Sequence, residues 1–153
     1  MFIKTSVVPV LQIAGAYVAK DCVGGLLTFT IGEGTLASGM TANAVIKRMT
    51  ITDADVEDAV LSLHLFNASP AAAAKTDADE CVQVAADLAK KIVTLPIAAA
   101  DYQDFAGDSI ASYELDVPIV YDGKDIFGVL ECTATPTYTA VNDLTIHLIV
   151  ELR

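Results

Sequence analysis

The chain has 153 residues, with twenty Asp and Glu against nine Lys and Arg and a formal net charge of −11, which repels a phosphate backbone and argues against a nucleic-acid partner. A chain of this length reads as one domain, residues 1–153, able to bury roughly 68–70% of its unfolded surface without covalent staples. Apolar residues make up 54% of it and the mean hydropathy is +0.51, an excess that an oligomer or a docked partner would cover.

The N-terminal segment carries Phe2, Ile3, Val7 and Val8. Pro9 donates no ladder hydrogen bond and confines a strand over residues 6–13 to an edge, or to an arm lying on a neighbour. Residues 1–8 are therefore read as a contact arm. Lys4, the apolar run 7–13 and Ala14-Gly15-Ala16 imitate a secretory signal, but the single charge and Pro9 and Gln12 inside a short run argue against one. The sequence has no run of eighteen apolar residues, so no membrane span is expected.

Residues 16–20 offer a short strand, and residues 21–25, with Gly24 and Gly25, a turn or bulge. Leu27, Phe29 and Ile31 then alternate with Thr28 and Thr30 as a half-buried strand does. The following loop, to residue 44, contributes Leu36 and Met40 as further candidate contacts. Its glycines at 32, 34 and 39 match neither dinucleotide nor phosphate-loop spacing.

Alternation resumes over residues 43–52, with Val45, Met49 and Ile51 on one side and Arg48, Thr50 and Thr52 on the other. Asp53, Asp55, Glu57 and Asp58 read as a solvated acidic hairpin turn, because the spacing lacks the glycine and terminal glutamate of a calcium loop. The strongest strand pattern follows, with Ala59, Leu61, Leu63 and Leu65 on one face. Pro70 and a run of alanines then carry the chain out of the sheet.

A helix is predicted over residues 77–91, capped by Thr76 or Asp77. Helical spacing puts Cys81, Val84, Ala85, Leu88 and Ile92 inward and Gln83, Asp87, Lys90 and Lys91 outward. Residues 93–97 form a strand and residues 98–108 a loop anchored by Tyr102 and Phe105. Strands at 109–115 and 117–121 lead to a hairpin turn at Asp122-Gly123. After a strand through Phe127 and Val129, the last strand turns Ile146, Leu148, Val150 and Leu152 inward and Thr145, His147 and Glu151 outward. The fold class expected is mainly β, a β-sandwich or jelly roll of eight to ten short strands with one helix inserted near residues 77–91.

Candidate chemistry is sparse. His64 and His147 sit on strands and belong to no ligand motif. Cys22, Cys81 and Cys132 are odd in number and lack paired spacing, which predicts free thiols and a reducing assembly compartment. Cys81 is expected in the helix core, Cys132 inside a strand, and Cys22 in a turn without a histidine base. With no Trp there is no tryptophan platform for a sugar. The sequence therefore assigns no catalytic residue, no cofactor and no metal ligand.

One resemblance extends this reading. Thr50-Ile-Thr-Asp-Ala-Asp55, Leu61-Ser-Leu-His-Leu-Phe-Asn-Ala-Ser-Pro70, Thr76-Asp-Ala-Asp79, Val93-Thr-Leu-Pro-Ile97 and Asp101-Tyr102, with the Gly24-Gly25 pair, give a layout over about half the chain. It resembles that of the capsid decoration, or cement, proteins of tailed bacteriophages. The resemblance implies a non-enzymatic virion protein, made in the bacterial host cytoplasm and placed on the capsid exterior. It implies a homo-oligomer, a trimer before a dimer, that bridges neighbouring subunits of the major capsid protein against internal DNA pressure. Other phage virion modules share the layout: fibre, baseplate, or receptor- and carbohydrate-binding domains. A clamp of this kind needs apolar arms and long loops, so Phe2, Ile3, Val7, Val8, Leu36 and Met40 are the expected contact residues.

Overall fold

The computed structural model describes residues 1–31, 42–71, 76–121 and 125–153. Among them lie nine strands: β1 (Phe2–Val7), β2 (Cys22–Phe29), β3 (Ala42–Asp53), β4 (Leu61–Phe66), β5 (Lys91–Ile97), β6 (Gln103–Phe105), β7 (Asp108–Tyr121), β8 (Ile126–Cys132) and β9 (Leu144–Leu152). One helical turn, α1 (Ala85–Leu88), precedes β5, and a 3-10 turn (Ala99–Asp101) precedes β6.

The strands make two antiparallel sheets, ordered β1-β9-β3-β7-β6 and β2-β8-β4-β5. In the pairs β1 with β9, β2 with β8, β3 with β7 and β4 with β5, the second half of the chain runs back along the first. A long antiparallel ribbon rolled in this way is a jelly roll, and β6 adds a short fifth strand to one sheet. The sandwich of short strands with a small helical insert is thus the observed architecture.

Alternation explains the core between the sheets. Leu61, Leu63 and Leu65 of β4 meet Ile46, Met49 and Ile51 of β3 and Ile146, Leu148 and Val150 of β9 there, all buried. Val45, predicted to share a face with Met49 and Ile51, points the other way. A register shift between Ile46 and Arg48 inserts Lys47 as an extra residue and reverses the pleat, so Ala44 and Ile46 face the core instead.

Pro9 stops β1 at Val7, earlier than the predicted 6–13 strand, and residues 16–20 form none. Pro9 packs on Gly24, where φ is +77° and an added Cβ would lie 2.2 Å from the proline Cβ. Gly24 and Gly25 occupy the irregularity between Cys22 and Leu26, so the expected bulge is there. The acidic stretch 53–58 is a crossover between sheets and not a hairpin turn, since β3 and β4 belong to different sheets. Strand β7 runs unbroken through the two segments predicted between 109 and 121. The predicted turn at Asp122-Gly123 lies outside the described residues.

The predicted helix shrinks to one turn. Residues 78–81 are held on the free edge of β2 by a turn, with Ala78 at φ +60°, and an isolated bridge of Glu80 to Asp21: Ala78 donates to the Cys22 carbonyl, Cys22 to Asp79 and Cys81 to Lys20, at 2.7–2.8 Å. Cys22 and Cys81 are joined by a disulfide, Cα to Cα 5.1 Å, which corrects the expectation of free thiols; Cys132 is the buried free cysteine. The helical faces are reversed too. Asp87 is fully buried and accepts the Ala71 N–H at 2.8 Å, whereas Val84 and Leu88 are exposed.

Candidate functional site

The two sheets differ in what covers their outer faces. On the four-stranded sheet Cys22, Phe66 and Val129 form a second buried cluster, packed by Leu26, Cys81 and Phe127. His64 is also buried there, its Nδ1 3.0 Å from Thr94 Oγ1 and its Nε2 3.0 Å from Glu131 Oε2. It is a satisfied strand histidine.

The outer face of the five-stranded sheet is more open. Register builds it in rows. Phe2, Glu151, Val45 and Pro118 form one, and Lys4, Ile149, Arg48 and Glu114 the next. Ser6, His147, Thr50 and Ser112 form a third. Three shallow depressions tile it, of 390 Å³ beside Val45, Pro118 and Arg153, 370 Å³ beside Phe2 and Lys47, and 190 Å³ around His147.

Its charge is unlike that of the chain. Lys4, Lys47, Arg48 and Arg153 lie here among the described residues, near Glu114, Asp116 and Glu151. Lys47 pairs with Asp116, Arg48 Nε donates to Glu114 at 2.6 Å, and Arg153 pairs with Glu151 at 2.9 Å. Lys47 holds the Asp116 carboxyl below the usual carboxylate range. Burial, and then the Lys4 ammonium, hold His147 below the usual imidazole range.

The predicted contact residues divide by pleat. Phe2 is 66% exposed and Val8 50%, while Ile3 and Val7 turn inward and pack partly buried against the core. Residues 1–8 are thus mostly an edge strand of the sheet. Leu36 and Met40 lie outside the described residues. The sequence reading missed Val10 at 70% exposure, Ile13 and Val18, which are exposed apolar residues beyond Pro9.

The acidic stretch binds backbone. Asp55 accepts the Thr139 N–H at 2.9 Å and hydroxyl at 3.0 Å, and Glu57 accepts the Thr137 N–H at 2.9 Å. Asp53, fully buried, accepts the N–H groups of Asp55 and Asp58 at 3.0 and 3.2 Å. Burial pushes its carboxyl up to about 6 against the effect of those two bonds. Among the described residues no three His, Cys, Asp or Glu side chains are grouped to hold a metal, and no helix is long and apolar enough to cross a membrane.

Strand order and faces together define a jelly-roll domain with one open sheet face. No family model matches the chain, and no curated protein matches it. Among solved structures it is similar to PRD1 vertex protein P5, at 13% identity and a TM-score of 0.43, over 97% of this chain and 94% of that one.

Proposed function

We propose that this chain is a phage virion structural protein that binds the assembled capsid shell and stabilises it by bridging major capsid subunits. In this reading it acts by binding alone, as a homo-oligomer on the capsid exterior, after synthesis in the host cytoplasm. The observation that carries the proposal is the set of exposed apolar residues in the N-terminal segment. Met1, Phe2, Val8, Val10, Ile13 and Val18 are all at least half exposed. Exposed apolar side chains together with a polar sheet face are the composition of an interface core with its polar rim. The resemblance in layout to decoration proteins points to the same kind of partner.

The test is cosedimentation of the purified protein with expanded phage heads stripped of minor proteins. Saturable addition at a fixed ratio to capsid subunits is expected. Phe2→Asp, which places a charge on an exposed position, should weaken addition at least tenfold and leave the melting temperature unchanged. No addition to heads, or equal addition by the variant, would refute the assignment.

A further inference from the structure

The depression around His147 has hydrogen-bonding capacity that the chain does not satisfy. We propose that Lys4, Arg48, Thr50 and His147 form a binding site for a small oxyanion, a carboxylate or a phosphate, a site that stands independently of the virion reading. Three strands supply it. Lys4 on β1 and Arg48 on β3 both stand opposite Ile149 of β9, one on each side, and His147 lies two residues along β9, opposite Thr50. These side chains line one depression of 190 Å³ with Ile149.

The donors outnumber their partners. Lys4 has no ion pair or hydrogen bond among the described residues, and His147 Nδ1 is enclosed without a partner. Arg48 binds Glu114 through Nε and Nη2, which leaves guanidinium N–H groups free to donate elsewhere. Thr50 Oγ1 is 2.8 Å from Ser112 Oγ and can still accept or donate once more. An oxyanion is an acceptor with several lone pairs, the complement of a donor-rich cluster, and charge-assisted bonds to it are the stronger kind. The apolar Ile149 beside them reduces screening by water. An anion meets a repulsive field from a chain of net charge −11, so a site for one needs local positive charge, which Lys4 supplies at this depression.

The experiment titrates the full-length protein with sodium phosphate, and separately with sodium glutarate, at constant ionic strength and pH 6.5. Backbone amide and imidazole NMR signals are followed. Saturable shifts confined to residues 4–6, 48–50 and 147–149 are expected in at least one arm. Saturation by phosphate alone would assign a phosphoryl ligand, and saturation by glutarate a carboxylate. Lys4→Glu should weaken binding at least tenfold, and His147→Gln severalfold, with the remaining spectrum unchanged. Linear shifts scattered over the surface in both arms, or saturable binding that Lys4→Glu leaves intact, would overturn the proposal.

Discussion

Asp53 shows how one side chain couples the fold to pH. Its carboxylate is buried and accepts two backbone N–H groups, and its folded pKa of about 6 stands above the ordinary carboxylate value. A group raised in this direction favours the folded state once protonated, so its contribution is present at low pH and is lost as pH rises through about 6. Urea midpoints should therefore rise as pH falls from 7 to 5. Asp53→Asn should flatten that slope, whereas a slope identical to wild type would show that general relief of the negative charge produces it.

Gly24 is the position where a side chain meets the backbone constraint most directly. Its positive φ and the Pro9 ring against it leave no room for a methyl group, so Gly24→Ala should cost about 2–3 kcal/mol by strain and overpacking. Gly15, with nothing within 4 Å of an added Cβ, is the control, and Gly15→Ala should leave the urea midpoint where it is. The glycine pair was legible as a bulge, but the proline against it was not, because that contact joins residues fifteen positions apart across the fold.

At the scale of elements, period-two patterns were read correctly where the strand itself carries no inserted residue. Leu61, Leu63 and Leu65 face the core as their alternation requires, as do Ile146, Leu148 and Val150. The reading failed at Val45, where one inserted residue reverses the pleat, and at residues 77–91, where helical periodicity lost to tertiary pairing. Segment 78–81 gains backbone hydrogen bonds on the edge of β2 and a covalent link to it, and a short isolated helix has little intrinsic stability to set against them.

The disulfide closes a loop with a sequence separation of 59, which the chain-entropy model values at about 4 kcal/mol. Thiol titration of the denatured, unreduced protein should find one reactive thiol, Cys132. Three would contradict the pairing. Reduction should lower the urea midpoint by an amount corresponding to about 2–4 kcal/mol, and loosen residues 76–84 before the strands.

For the whole molecule, composition hinted at apolar surface in need of a partner but could not place it. Placement depends on which sheet face is covered, and that follows from a connector whose route was hidden behind a helical pattern. Once residues 78–81 join the four-stranded sheet and its second apolar cluster is closed, the five-stranded sheet retains the open face. The N-terminal segment was expected to be an arm, yet its pairing with β9 makes most of it structural, so removing residues 1–8 would uncover β9 along its length. Point changes at Phe2 and Val8 test contact without that damage.

On the proposed function, the outer face of the five-stranded sheet and the exposed apolar residues of the N-terminal segment are what the partner covers. Deuterium exchange of the protein free and bound to stripped, expanded heads tests this directly. Slower exchange on binding is predicted for residues 1–18, 43–50 and 147–153, with residues 78–90 unchanged. Protection confined to residues 78–90 and β5, with the five-stranded sheet exchanging as in the free protein, would contradict it.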